Sequence, residues 1–133
     1  MESSALVAAL LEHDIAAKKR PPIGTQLVTS ALTLAEAGRA IIRARATGRL
    51  TAAEEQAAVR ALRTFERRCF LLDVDRAVLA RVRRPFPIEP IRTLDAVHLS
   101  TAELLDETPQ LVTIVTRDVR VRDNARALGY IVE

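Results

Sequence analysis

The sequence predicts an α/β fold, a small parallel sheet with helices on both faces, and three observations carry it. The chain ends strand–helix–strand: Leu111 to Val115, a helix over Val119 to Leu128, then Tyr130-Ile131-Val132. Both strands are apolar throughout, the pattern of parallel strands covered on both faces. The middle of the chain is rich in helical periodicity. A chain of 133 residues suits a single domain over 1–133, with enough length to bury one core.

The elements follow in order. Ser3 or Ser4 caps a helix starting near Ala5, with Leu6, Ala9 and Leu10 as its apolar stripe. Lys18-Lys19-Arg20-Pro21-Pro22 stops it and forms a loop. Gln26 to Thr29 is a short apolar strand. Thr33 opens a helix with Leu34, Ala37, Ile41 and Ile42 on one side, and Gly48 ends it. Thr51 caps a second long helix from Ala52 to Arg67. Cys69 to Val74 reads as a strand and Asp75 to Val82 as a helix. Pro85, Pro87 and Pro90 force an extended connection. Thr93 opens the next helix, to about Leu105. Gly129 closes the helix that precedes the final strand.

Composition narrows the function classes. Hydrophobic residues make up 49% and charged residues 28%, a globular balance rather than a disordered one. Aromatics are 3% and Trp is absent, so the core is expected to be aliphatic and Ala-rich, without stacking platforms for bases. The one cysteine, Cys69, permits neither an intrachain disulfide nor a thiolate metal cluster. No apolar stretch reaches the ~20 residues of a membrane span, and no signal-peptide pattern opens the chain, so the expected location is cytoplasmic, away from membranes. The net charge is +3, and apart from Lys18 and Lys19 the cationic side chains are all Arg. Arg holds phosphate bidentately. The same composition also arises from genome base composition, so charge alone decides nothing.

The acids are more informative. In an open parallel sheet, ligands bind beyond the carboxyl ends of the strands, at the helix starts that follow. Glu36 follows the first strand, in the first turn of its helix. Asp118 follows the Leu111–Val115 strand. Asp95 lies in the first turn of the Thr93 helix, and Glu2 just ahead of the first helix. Four carboxylates converging there would repel one another and call for a hard divalent cation, Mg²⁺ or Mn²⁺. Each also has a purely structural reading. Thr33-Leu34-Ala35-Glu36 and Thr51-Ala52-Ala53-Glu54 are both capping boxes, and Asp95 suits a helix dipole. His98, three residues after Asp95, either supports that site or simply packs. His13 reads as a surface residue. Arg39 and Arg43 form one stripe, and Arg60, Arg63 and Arg67 another. Either stripe is a solvated face or a track for a phosphate backbone.

Four segments resemble the PIN-domain ribonucleases, in particular the VapC toxins of toxin–antitoxin pairs. They are Glu2-Ser3-Ser4-Ala5-Leu6-Val7; Leu27-Val28-Thr29-Ser30 with Leu32-Thr33-Leu34-Ala35-Glu36; Pro90-Ile91-Arg92-Thr93-Leu94-Asp95-Ala96-Val97-His98-Leu99; and Thr116-Arg117-Asp118 with Ala125-Arg126-Ala127-Leu128-Gly129. The third is the most specific, and the order of all four spans nearly the whole chain. The resemblance implies a metal set of Glu2, Glu36, Asp95 and Asp118, with Glu36, Asp95 and Asp118 catalytic and Ser4 and Thr116 supporting them. It further implies Mg²⁺ or Mn²⁺ as cofactor, RNA cleavage, inhibition by a cognate antitoxin, and a homodimer. On the phosphate-track reading of the stripes, Arg39 and Arg43 contact the RNA.

Two departures stand out. Glu2 occupies a place where the family usually has Asp, one methylene shorter. Only Met1 precedes it, whereas the family has a central strand there. The first strand is therefore expected to be missing or truncated, with the coding region beginning a few codons upstream. The alternative function is a catalytically weakened PIN-like module that binds RNA or antitoxin without cleavage. A small-molecule phosphohydrolase is less favoured, because no phosphate-cradling loop is visible.

Overall fold

The computed structural model describes residues 1–11 and 23–133. The expected loop over Lys18 to Pro22, and His13, lie outside the described residues. Among the described residues, six helices and four short strands run in the order α1 (Ser3–Leu11), β1 (Val28–Ser30), α2 (Ala31–Ala46), α3 (Ala52–Glu66), β2 (Phe70–Leu72), α4 (Arg76–Val82), α5 (Thr93–Glu103), β3 (Thr113–Ile114), α6 (Val119–Ala127) and β4 (Ile131–Val132).

Two helix starts differ from the sequence expectation, and both differences bear on the acids. Glu2, not Ser3 or Ser4, satisfies the start of α1, since its carboxylate accepts the Ser4 N–H at 3.0 Å. Ser30, not Thr33, caps α2, accepting from Leu32 N–H at 3.2 Å. Thr33 is instead fully buried, with its hydroxyl 2.9 Å from that of Thr29. The helix therefore begins at Ala31, and Glu36 falls in its second turn rather than its first. Thr51 and Glu54 complete the expected capping box. Asp75, placed by the sequence inside its helix, caps α4 instead, accepting from Val78 N–H at 2.9 Å. Gly129, at φ +91°, supplies the left-handed turn between α6 and β4.

The strands form two parallel ladders. In one, β1 pairs with β2 (Val28 opposite Phe70); in the other, β3 pairs with β4 (Thr113 opposite Ile131). Met1 and Glu2 connect them. The Met1 nitrogen donates to Val28 O at 2.9 Å, and the Glu2 N–H to Val115 O at 2.9 Å. The Thr29 hydroxyl holds the Met1 carbonyl at 2.6 Å. Two residues thus occupy the central position between the ladders. β3 is shorter than the apolar run Leu111 to Val115 suggests, because Pro109 opens a 3₁₀ turn over Pro109–Leu111 and Val112 donates back to Pro109 O.

The helices pack in two groups. α1, α2 and α3 bury a small-residue interface of Ala5, Ala8, Ala9, Ala37, Ala44 and Ala58 around Leu6 and Ile41. This is the expected Ala-rich core. α4, α5 and α6 gather around Leu99, Ile114, Val121 and Ala125, but here Phe86 and Tyr130 are buried too. Half of the chain's few aromatics thus sit in one half of the core. The proline-rich connection over residues 83–92 brings Phe86 in. Asn124, 1% exposed, holds this connection: its Oδ1 accepts from Ile88 N–H at 2.9 Å, and its Nδ2 donates to Ile88 O at 2.9 Å and Arg120 O at 3.1 Å.

Removing this clamp leaves Ile88 N–H, Ile88 O and Arg120 O without the side-chain amide that meets them. Asn124→Ala is expected to destabilise the fold by about 1–3 kcal/mol, measured as a lower urea midpoint at unchanged m-value.

Candidate functional site

The site is built on the junction between the two ladders. Glu2 is buried, and its carboxylate is surrounded by donors. Oε1 accepts from Ser3 Oγ at 2.6 Å and from Ser4 N–H at 3.0 Å. Oε2 accepts from Thr116 Oγ1 at 2.7 Å and from the Ser4 hydroxyl. Burial alone would push the Glu2 carboxyl up. The Ser3, Ser4 and Thr116 hydroxyls and the Ser4 amide outweigh it and hold the group below its ordinary range.

The same hydroxyls position Asp118. Ser4 Oγ accepts from Arg117 N–H at 2.7 Å and Asp118 N–H at 3.1 Å, and Thr116 Oγ1 accepts from Asp118 N–H at 3.1 Å. Asp118 then caps α6, with Oδ1 accepting from Arg120 N–H at 2.7 Å and Val121 N–H at 3.3 Å. Ser4 and Thr116 therefore contact both Glu2 and the Asp118 turn.

Asp95, in the first turn of α5, is 8% exposed, and its Oδ2 is buried with no hydrogen-bond partner. Burial is the largest influence raising its pKa. The negative charges of Asp118 and Glu2 add to it, against the opposing pull of Arg92 and His98. Asp95 thus differs from Glu2: it is a buried carboxylate whose neighbours repel rather than solvate it.

Glu36 has a partner that the sequence pattern did not indicate. His98 Nε2 lies 2.6 Å from Glu36 Oε2, 3.4 Å from Ser3 Oγ and 3.8 Å from Glu2 Oε1. His98 shares a helix with Asp95, yet it reaches across to α2. The only sequence signal was its i+3 spacing from Asp95, which points to the wrong acid. Arg39 and Arg43 are exposed on α2, one and two turns beyond Glu36. Arg60, Arg63 and Arg67 are exposed on and just beyond α3.

The donor set fits a hard cation. The bare Oδ2 of Asp95, with two further carboxylates raising its pKa, is an oxygen site short of positive charge. Among the described residues, no three His, Cys, Asp or Glu side chains already stand close enough to hold a metal ion. The Glu2 oxygens and Glu36 Oε2 are engaged by protein donors instead.

Comparison with known proteins agrees with this architecture. The PIN domain family model matches residues 1–127. Ribonuclease VapC46 of Mycobacterium tuberculosis is 35% identical over 134 residues, covering 99% of this chain and 93% of that protein. Ribonuclease VapC35 of the same species is 33% identical over 105 residues, covering 79% of this chain and 70% of that protein. No solved structure gives a significant match. Among the described residues, no helix is long and apolar enough to cross a membrane. A family-model match over almost the whole chain, on a parallel α/β frame, makes this chain a member of the PIN-domain family.

Proposed function

We propose that this chain is an endoribonuclease toxin dependent on Mg²⁺ or Mn²⁺, restrained by a cognate antitoxin and acting in the cytoplasm as a homodimer. The observation that carries the reading is the buried, partnerless Oδ2 of Asp95 beside Asp118 and Glu2. The two VapC ribonucleases that match the chain support the reaction class.

Glu2, Glu36, Asp95 and Asp118 would hold the cation. When bound, it supplies Lewis acidity and neutralises phosphate charge. The chain's own residues do the rest. Ser4 and Thr116 hold Glu2 and the Asp118 turn in one rigid unit. Asp95, Glu36 and Asp118 act on the reacting groups, and a carboxylate oxygen outside the cation's set takes the proton of the attacking water. Arg39 and Arg43 lead the RNA backbone toward Glu36.

One observation favours the second reading, a weakened module that binds RNA or antitoxin without cutting it. Glu36 Oε2 is committed to His98, and both Glu2 oxygens are committed to hydroxyls. RNA cleavage by purified protein with Mn²⁺, abolished by EDTA, decides for the nuclease. Binding without cleavage decides for the module.

Asp95→Asn is expected to lower metal-dependent cleavage by more than ~100-fold, beyond the usual cost of losing an outer-shell partner. It should also raise the Tm of the metal-free protein at neutral pH. An acid whose folded pKa is raised binds more protons folded than unfolded, so its ionisation costs stability as pH rises above its unfolded value of ~3.9. The Tm advantage of the variant is therefore largest at neutral pH and fades below about pH 4. Thermal melts across a pH series read it.

Replacing Arg39 and Arg43 with Gln should reduce the slope of log K for single-stranded RNA against log salt by about 1.4, roughly 0.7 for each lost phosphate contact. The measurement is RNA binding by the Asp95→Asn protein across a salt series. Stability should change by less than ~0.5 kcal/mol, as for other exposed substitutions.

A further inference from the structure

His98 is buried, and its ring nitrogen stands among three groups from two other elements: Glu36 on α2, Ser3 on α1 and Glu2 ahead of α1. The 2.6 Å contact with Glu36 Oε2 is the shortest of them. A carboxylate only accepts, so Nε2 carries the proton. Ser3 agrees with this assignment. Its hydroxyl proton goes to Glu2 Oε1 at 2.6 Å, which leaves its oxygen facing the imidazole N–H at 3.4 Å as an acceptor.

The consequence falls on Glu36. Its side chain is 24% exposed and rises from the second turn of a helix. Untethered, it would sample several rotamers, some of them swung into solvent. His98, whose side chain is 5% exposed, fixes one oxygen of it to the interior of α5. Oε2 is the oxygen engaged by the imidazole, and Oε1 has no such tie to His98. Hydrogen-bonding one part of a ligand group to orient the rest is how outer partners raise metal affinity.

We propose that His98 is a positioning residue for Glu36, which it holds by Oε2 so that Oε1 is presented to a divalent cation. This rests on the metal-dependent reading given above. His98 touches neither the cation nor RNA; it acts through Glu36 alone.

The test measures Mn²⁺ affinity by calorimetry on the full chain, without RNA. His98→Ala is expected to weaken binding by about 10–100-fold. His98→Gln, which retains an N–H donor, should recover most of the loss. In a Glu36→Ala background, His98→Ala should cost nothing further. The metal-free protein gives an independent reading through the ¹⁵N shifts of the His98 ring: the Nε2-protonated form is expected in the wild type, with clear displacement in Glu36→Ala. A folded His98→Ala protein with wild-type Mn²⁺ affinity overturns the proposal. So does an equal loss in the Glu36→Ala background. If His98→Ala fails to fold, ring shifts unmoved by Glu36→Ala overturn it instead. Absence of Mn²⁺ binding in the wild type overturns the nuclease reading and this role with it, whereas wild-type binding insensitive to His98→Ala overturns this role alone.

Discussion

The buried carboxylate of Glu2 is the interaction on which the rest of this structure depends. A charge with little exposure survives only when its hydrogen-bonding capacity is met, and here four donors from α1 and the β3–α6 turn meet it. The backbone N–H of the same residue reaches Val115, and its neighbour Met1 reaches Val28. Met1 and Glu2 together therefore join the two ladders, and Glu2 also starts α1 and contacts the turn that carries Asp118.

This arrangement leaves the acids with unequal roles. Glu2 is solvated by protein, Asp118 is divided between helix capping and the site, and Glu36 is tethered to a histidine. Asp95 has an oxygen without a partner. Of the four, Asp95 keeps a buried oxygen without a hydrogen-bond partner. Under the proposed function, a cation bound there would offset that cost and link the stability of the fold to the chemistry.

Much of this was legible in the chain. Thr51 with Glu54, and Gly129, act locally, within a few residues of the groups they satisfy, so their roles are read from spacing, whereas the caps at Asp75 and Asp118 emerge only in the structure. The helix start at Ser30 is not legible from the capping pattern, because Thr33 has the right spacing to Glu36 but is buried with its hydroxyl against that of Thr29. β3 was overestimated because Pro109 commits Leu111 to a tight turn before the strand begins. The His98–Glu36 pair joins residues 62 apart, and no local pattern encodes it. Asn124 likewise reads as an ordinary helical polar residue until the connection over residues 83–92 folds back on it.

The central claim is that Asp95 Oδ2 awaits a divalent cation. Crystals of the protein soaked in Mn²⁺ and measured at the manganese absorption edge test it most directly. The account predicts an anomalous peak within about 2.0–2.3 Å of Asp95 Oδ2, with at least one more oxygen from Glu2, Glu36 or Asp118 in its coordination sphere. No peak at saturating Mn²⁺, or a peak only at carboxylates remote from Asp95, would contradict it.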